Sequence, residues 1–118
     1  MKFAVACTFH MIDVTDLDST SLEIVEAENK EEAALKVMIN DMVEYDLEDA
    51  KLPEEERFDD GNNLTLSEPD FIKKRESYWR SHIKWDKDPD VEIRGYDFLF
   101  MNVDGISSGV FGIKVIPI

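Results

Sequence analysis

Residues 2–14 alternate. Phe3, Val5, Cys7, Phe9 and Met11 fall on one side of an extended chain, and Ala4, Ala6, Thr8, His10 and Ile12 on the other. Such a period of two predicts a strand with one strongly apolar face. The polar stretch Asp13 to Ser21 reads as a turn, and Leu22 to Glu28 as a second strand, so that 2–28 forms a hairpin. The apolar phase of that second strand slips between Ile24 and Val25, which allows for a bulge.

The period then changes. Ala34, Leu35, Met38, Ile39, Met42 and Tyr45 form one stripe at helical spacing, the mark of a helix packed on one side. Asn29 is a suitable N-cap and Glu32 sits where a capping-box acid belongs. Asp46 falls in the middle of the stripe, so the packed helix is expected to fade near Tyr45. Residues 46–66 are poor in apolar groups and contain Pro53, Gly61, Asn62 and Asn63, which predicts a long acidic mobile loop. Ser67, Pro69 and Asp70 mark the start of a second helix. Its expected buried arc comprises Phe71, Ile72, Tyr78, Trp79, His82 and Ile83, with Arg75 inside the arc. Asp86 to Asp90 reads as a turn and Val91 to Val103 as a strand kinked at Gly95. Asp104-Gly105 is a hairpin signal, and a last strand follows from about Val110 to Ile116. The order ββααββ predicts a single α+β domain spanning 1–118. Its expected form is a mostly antiparallel four-stranded sheet with two helices on one face.

Composition narrows the class. A chain of 118 residues that is 43% hydrophobic, with seven Phe, three Tyr and two Trp, can bury one core. Cys7 is the only cysteine, which excludes an intrachain disulfide and a Cys-rich zinc site and suits a reducing, cytoplasmic setting. The apolar stretch before Cys7 is too short for a signal peptide and reads as the first strand. Asn63-Leu64-Thr65 fits a glycosylation pattern that has meaning only after secretion.

Charge changes the picture most. The formal net charge is −14, from 27 acidic and 13 basic residues. From Asp41 to Asp60 ten acids stand against Lys51 and Arg57, a net of −8, and from Asp13 to Glu32 eight acids stand against Lys30, a net of −7. Such a charge repels nucleic acid and anionic membrane and attracts basic surfaces. Duplex DNA is held by Lys and Arg along its phosphates, and an array of carboxylates can occupy the same basic groove. A solvated surface that keeps a small protein soluble is the plainer reading of the same residues. The expected contact residues are Asp41, Glu44, Glu48, Asp49, Glu54, Glu55, Glu56, Asp59 and Asp60.

Other constellations point elsewhere or to packing. Lys73, Lys74, Arg75, Arg80, Lys84 and Lys87, with Tyr78, Trp79 and Trp85 interleaved, net +4 over residues 73–87 after Glu76 and Asp86 are counted. Basic and aromatic residues together can stack single strands, but these aromatics sit at core spacing and the chain as a whole repels nucleic acid. Asp86, Asp88, Asp90 and Glu92 begin like a calcium loop, yet Val91 and Asp97 occupy the sixth and twelfth positions, where Gly and Glu belong. Arg75 and His82, beside Tyr78 and Trp79, offer an anion pocket with a proton-moving imidazole. Cys7 reads as a core residue. No GxSxG, HExxH or phosphate-cradling loop occurs, so no catalytic residue, metal or cofactor is expected.

The leading expectation is therefore a non-enzymatic binding protein. It would occupy the basic surface of a protein partner such as a nucleic-acid-binding enzyme, without binding nucleic acid or membrane itself. In charge and size the chain resembles the acidic nucleic-acid mimics that viruses use against restriction or CRISPR nucleases. The alternatives are a small ligand-binding domain or enzyme around Arg75 and His82, or an assembly partner using a sheet edge. In the last case the protein would be a homodimer through Val110 to Ile116 and otherwise a monomer.

Overall fold

A computed structural model describes residues 1–11, 19–57, 61–86, 95–102 and 109–118. The chain runs β1 (Lys2–Met11), β2 (Ser19–Glu26), α1 (Lys30–Ala50), a short 3-10 turn (Glu54–Glu56), α2 (Glu68–His82), β3 (Phe98–Asn102) and β4 (Gly109–Pro117). The strands form one antiparallel sheet in the order β2-β1-β4-β3. This is the α+β architecture that the periodicities predict.

The alternation of β1 sends Phe3, Val5 and Cys7 into the core, where Phe111, Ile113 and Val115 of β4 join them. Phe111 stacks between Phe9 and Phe100, with ring centroids 4.6 and 6.0 Å away. Helix α1 lies on this face and buries Ala33, Ala34, Val37, Met38, Ile39, Met42 and Val43. Its apolar arc is wide because α2 packs against it as well. Asn29 caps α1 by accepting from the Glu32 backbone N–H at 2.8 Å. Ser67 caps α2 in the same way at Asp70, at 3.4 Å. Glu32 does not complete a capping box: its carboxylate reaches across to Arg80 of α2 at 3.1 Å.

Four expectations need correction. Helix α1 does not fade at Tyr45 but runs to Ala50, because Asp46 finds polar partners inside the interface. The segment expected as a loop over 46–66 therefore begins with helix, and it contains the 3-10 turn as well. The β1–β2 register runs unbroken from Lys2↔Glu26 to Phe9↔Ser19 with no bulge. The slip at Ile24 and Val25 instead divides β2 between two faces, with Val25 half-buried against the core and Leu22 and Ile24 exposed on the outside. Lastly, β4 is not an edge. It pairs with β1 from Pro117 to Gly109 and with β3 from Ile113 to Gly109, so it lies inside the sheet, and among the described strands the edges are β2 and β3.

Of the expected strand 91–103, Phe98–Asn102 form β3 and Gly95 to Asp97 lie before it; Val91 to Arg94 and Val103 lie outside the described residues. Gly95 has a φ of 75°, the left-handed value a glycine adopts without strain. Asp97 extends the ladder beyond β3. Its N–H donates to Ile113 O at 2.8 Å, and its carboxylate accepts from the Val115 N–H at 2.8 Å. Gly112 is needed for close approach, since a Cβ there would lie 2.3 Å from the Tyr96 ring.

Candidate functional site

The acidic residues of α1 separate into two groups. Asp46 and Asp49 point inward and are 4% and 2% exposed. Asp46 Oδ2 accepts from Arg75 Nε at 2.7 Å and from Trp79 Nε1 at 2.6 Å, both on α2. Its other oxygen accepts from Asn62 Nδ2 at 3.3 Å, and Asn62 also donates to Asp49 Oδ2 at 3.4 Å. Asn62 is buried too. This network ties the end of α1, the connection before α2 and the middle of α2 together. Each member satisfies a group that would otherwise be costly to bury. Asp49, one of the expected contact residues, is thus a packing residue. The signal was present in the sequence, since Asp46 and Arg75 each interrupt an apolar arc with opposite charge. The parts of Asn62 and Trp79 carried no such mark.

Asp41, Glu44 and Glu48 lie on another side of the helix, spaced at three and four residues so that they share one face. They line an open cleft of about 240 Å3 between α1 and the sheet, whose other walls are Cys7, Phe9, Tyr45 and Phe111, with Thr20 and Ser21 of β2. Among the described residues no cation pairs with these three carboxylates. Burial, with Glu23 and Glu44 beside it, pushes Asp41 up to about 6. Glu23, on the core-facing side of β2, thus belongs to the same acidic patch, which the linear charge count had placed in a separate tract. Burial and then Asp41 likewise raise the Tyr45 hydroxyl. An aromatic floor under unpaired carboxylates suits a cationic group carried on an apolar stem, such as a lysine or arginine side chain.

Glu54, Glu55 and Glu56 form the 3-10 turn after α1 and are all exposed. Arg57 Nε donates to Leu52 O at 3.0 Å. Asp59 and Asp60 lie outside the described residues, as do Lys87, Asp88, Asp90 and Glu92 of the calcium-like stretch. Among the described residues no group of three or more His, Cys, Asp or Glu side chains is placed to hold a metal ion.

Arg75 and His82 do not form an open anion site. The guanidinium of Arg75 is engaged by Asp46 and lies 4.2 Å from the Tyr78 ring centroid. His82 is exposed and stacks on Tyr78 at 3.9 Å. Its Nδ1 is 2.6 Å from the Tyr78 carbonyl oxygen, which can only accept, so the ring proton is held there. Tyr78 and His82 therefore leave the expected buried arc, and within α2 only Phe71 is buried. The basic stripe is partly neutralised by α1 itself, through Asp46 on Arg75 and Glu32 on Arg80. Cys7 Sγ donates weakly to Met38 Sδ at 3.8 Å. Burial, and then Asp41 and Glu23, push its thiol up to about 12, which leaves it protonated and unsuited to nucleophilic attack.

No family model, no curated protein and no solved structure matches this chain. Among the described residues no helix is long and apolar enough to cross a membrane. The class defined by fold and site is a small antiparallel α+β domain with an acidic, aromatic-floored cleft along its first helix.

Proposed function

We propose that this protein is a non-enzymatic binding protein that docks on the basic, nucleic-acid-binding surface of a protein partner. In this reading it acts as an acidic mimic of the kind viruses direct against restriction or CRISPR nucleases. The observation that carries the proposal is the row Asp41, Glu44 and Glu48, rigid on a packed helix and uncompensated by the described cations. Seven residues of helix advance ~10 Å, and duplex DNA carries one phosphate per ~3.4 Å of each strand. Three carboxylates over that span stand ~5 Å apart along the axis, a row of fixed anions sparser than, but of the same order as, the ~3.4 Å spacing of phosphates along one DNA strand. Glu54 to Glu56 continue the acidic surface past the end of α1.

The test is capture of partners from host extract on the immobilised protein, followed by a salt gradient and by competition with duplex DNA. The expected result is a nucleic-acid-binding protein that elutes at moderate salt, because exposed charges are screened over ~8 Å at physiological ionic strength. Duplex DNA should displace it. Substituting Asp41, Glu44 and Glu48 together by Lys should abolish capture. Capture that survives this reversal, or that ignores both salt and DNA, overturns the proposal.

A further inference from the structure

Strand β2 is an edge of the sheet, and the hydrogen-bond register shows which of its backbone groups face outward. The Ala27 N–H donates to Met1 O at 3.0 Å, which makes those two residues a bonded pair. Bonded and unbonded pairs alternate along an antiparallel ladder. Val25, Glu23 and Ser21 therefore exchange bonds with Phe3, Val5 and Cys7, while Thr20, Leu22, Ile24 and Glu26 turn their N–H and C=O groups away from β1. Lys36 Nζ takes the outward carbonyl of Glu26 at 2.7 Å. From Thr20 to Ile24 no backbone partner on the outer side is found among the described residues. No proline and no bulge interrupts this stretch, and unpaired edge groups of this kind are a template for another strand.

Side chains along the edge sort by face. Leu22 and Ile24 lie with Ala6 and Ala4 on the face turned away from the helices and are 70 and 66% exposed. Ser21 and Glu23 lie on the helix side. There Ser21 forms part of the cleft wall with Asp41, Glu44 and Glu48, and Glu23 stands close enough to Asp41 to raise its carboxyl. A strand added beside β2 would alternate in the same way, with every second residue meeting carboxylates and the others meeting Leu22 and Ile24. We infer that the open edge of β2 receives an extended segment of a protein partner in which basic and apolar residues alternate.

Charge selects this occupant over a second copy. Another β2 would bring its own Glu23 and Glu26 to the edge of a chain that already carries a net charge of −14, and like charges set opposite one another destabilise a strand pair. A lysine or arginine at alternate positions instead lies beside Glu23 or reaches over Ser21 toward Asp41 and Glu44. Backbone bonds to Thr20, Leu22 and Ile24 supply affinity, and the alternating side chains supply specificity. Lys36 closes the edge at Glu26, so the paired stretch ends at Ile24. The choice of a basic occupant rests on the reading of this protein as an acidic mimic; the open edge does not.

The test adds the synthetic peptide Lys-Val-Lys-Val-Lys-Val-Lys, blocked at both ends, to the full chain. A peptide of the same composition, with its lysines and valines in separate blocks, is the control for charge alone. At saturating alternating peptide, amide hydrogen exchange at Thr20, Leu22 and Ile24 should slow by at least about tenfold, and the block peptide should fall short of this. Ile24→Pro removes an outward N–H and no bond to β1, and should weaken binding of the alternating peptide by at least about tenfold. Ile24→Ala keeps that N–H and should weaken it less. The exchange measurement uses the unaltered chain and stands even if Ile24→Pro fails to fold. Unchanged exchange at the three amides, equal protection by the two peptides, or equal binding by the folded Pro and Ala variants overturns the inference. Each of these leaves capture of a nucleic-acid-binding partner untouched. Protection of the edge without such capture upholds the inference and overturns the mimic reading alone.

Discussion

Helix α1 carries the same chemistry on two sides and uses it in opposite ways. Asp46 and Asp49 are buried and answered by Arg75, Trp79 and Asn62. Asp41, Glu44 and Glu48 border an open cleft where the neighbouring charges are themselves carboxylates. The first group holds α2 and the connecting segment onto α1. The second is held in place by that packing and gains nothing from it. Counting acids along the chain cannot separate the two, because the helical rotation that divides them repeats within every turn.

The contrast can be broken most severely at Asp46. Asp46→Ala leaves the half-buried Arg75 guanidinium and Trp79 N–H without their acceptor. Removing one partner of a buried pair costs about 3–5 kcal/mol, a large part of the ~5–15 kcal/mol that holds a domain of this kind folded. Urea unfolding should show the midpoint falling sharply, and a loss below about 1 kcal/mol would mean that the network is not what joins the helices. Asn62→Ala is the milder version. It removes one donor from each of two buried carboxylates through bonds of 3.3 and 3.4 Å, and should cost about 1–3 kcal/mol in the same assay.

The smallest effect, and the one of opposite sign, lies in the cleft. The folded state holds the Asp41 proton more tightly than the unfolded chain does, at about 6 against 3.8. The stability this group contributes is therefore fully present below the unfolded value of 3.8 and is lost as pH rises through about 6. Asp41→Asn should raise Tm by a few degrees at neutral pH and flatten the decline in Tm across that window. A variant less stable than the parent at neutral pH would show that the Asp41 carboxylate has a cationic partner after all.

Much of the architecture was legible in the pattern of residues. The alternation from Phe3 to Phe9 needs only the two-residue period of a strand. The N-caps at Asn29 and Ser67 need only a side-chain oxygen beside free backbone donors. The stripe from Ala34 to Tyr45 needs only the helical repeat. Local spacing misleads where a residue's role depends on a partner distant in the chain. Asp46 looked like the end of a packed helix because Arg75 and Trp79 lie 29 and 33 residues away. Tyr78 and His82 share the helical spacing of the apolar arc, but α2 meets α1 along a narrower line and leaves both exposed. The last strand looked like an edge because strand order is set by long-range pairing, which leaves no trace in local periodicity.

The sequence by itself therefore determined the elements, their order, the single core and the excess of negative charge, since each follows from local spacing or a simple count. Only the tertiary structure decided which acids are answered and which stand open, and that the sheet turns one apolar face outward. Burial and pairing are properties of surfaces brought together from distant parts of the chain. An aspartate is the same residue on either side of a helix until another helix packs against it.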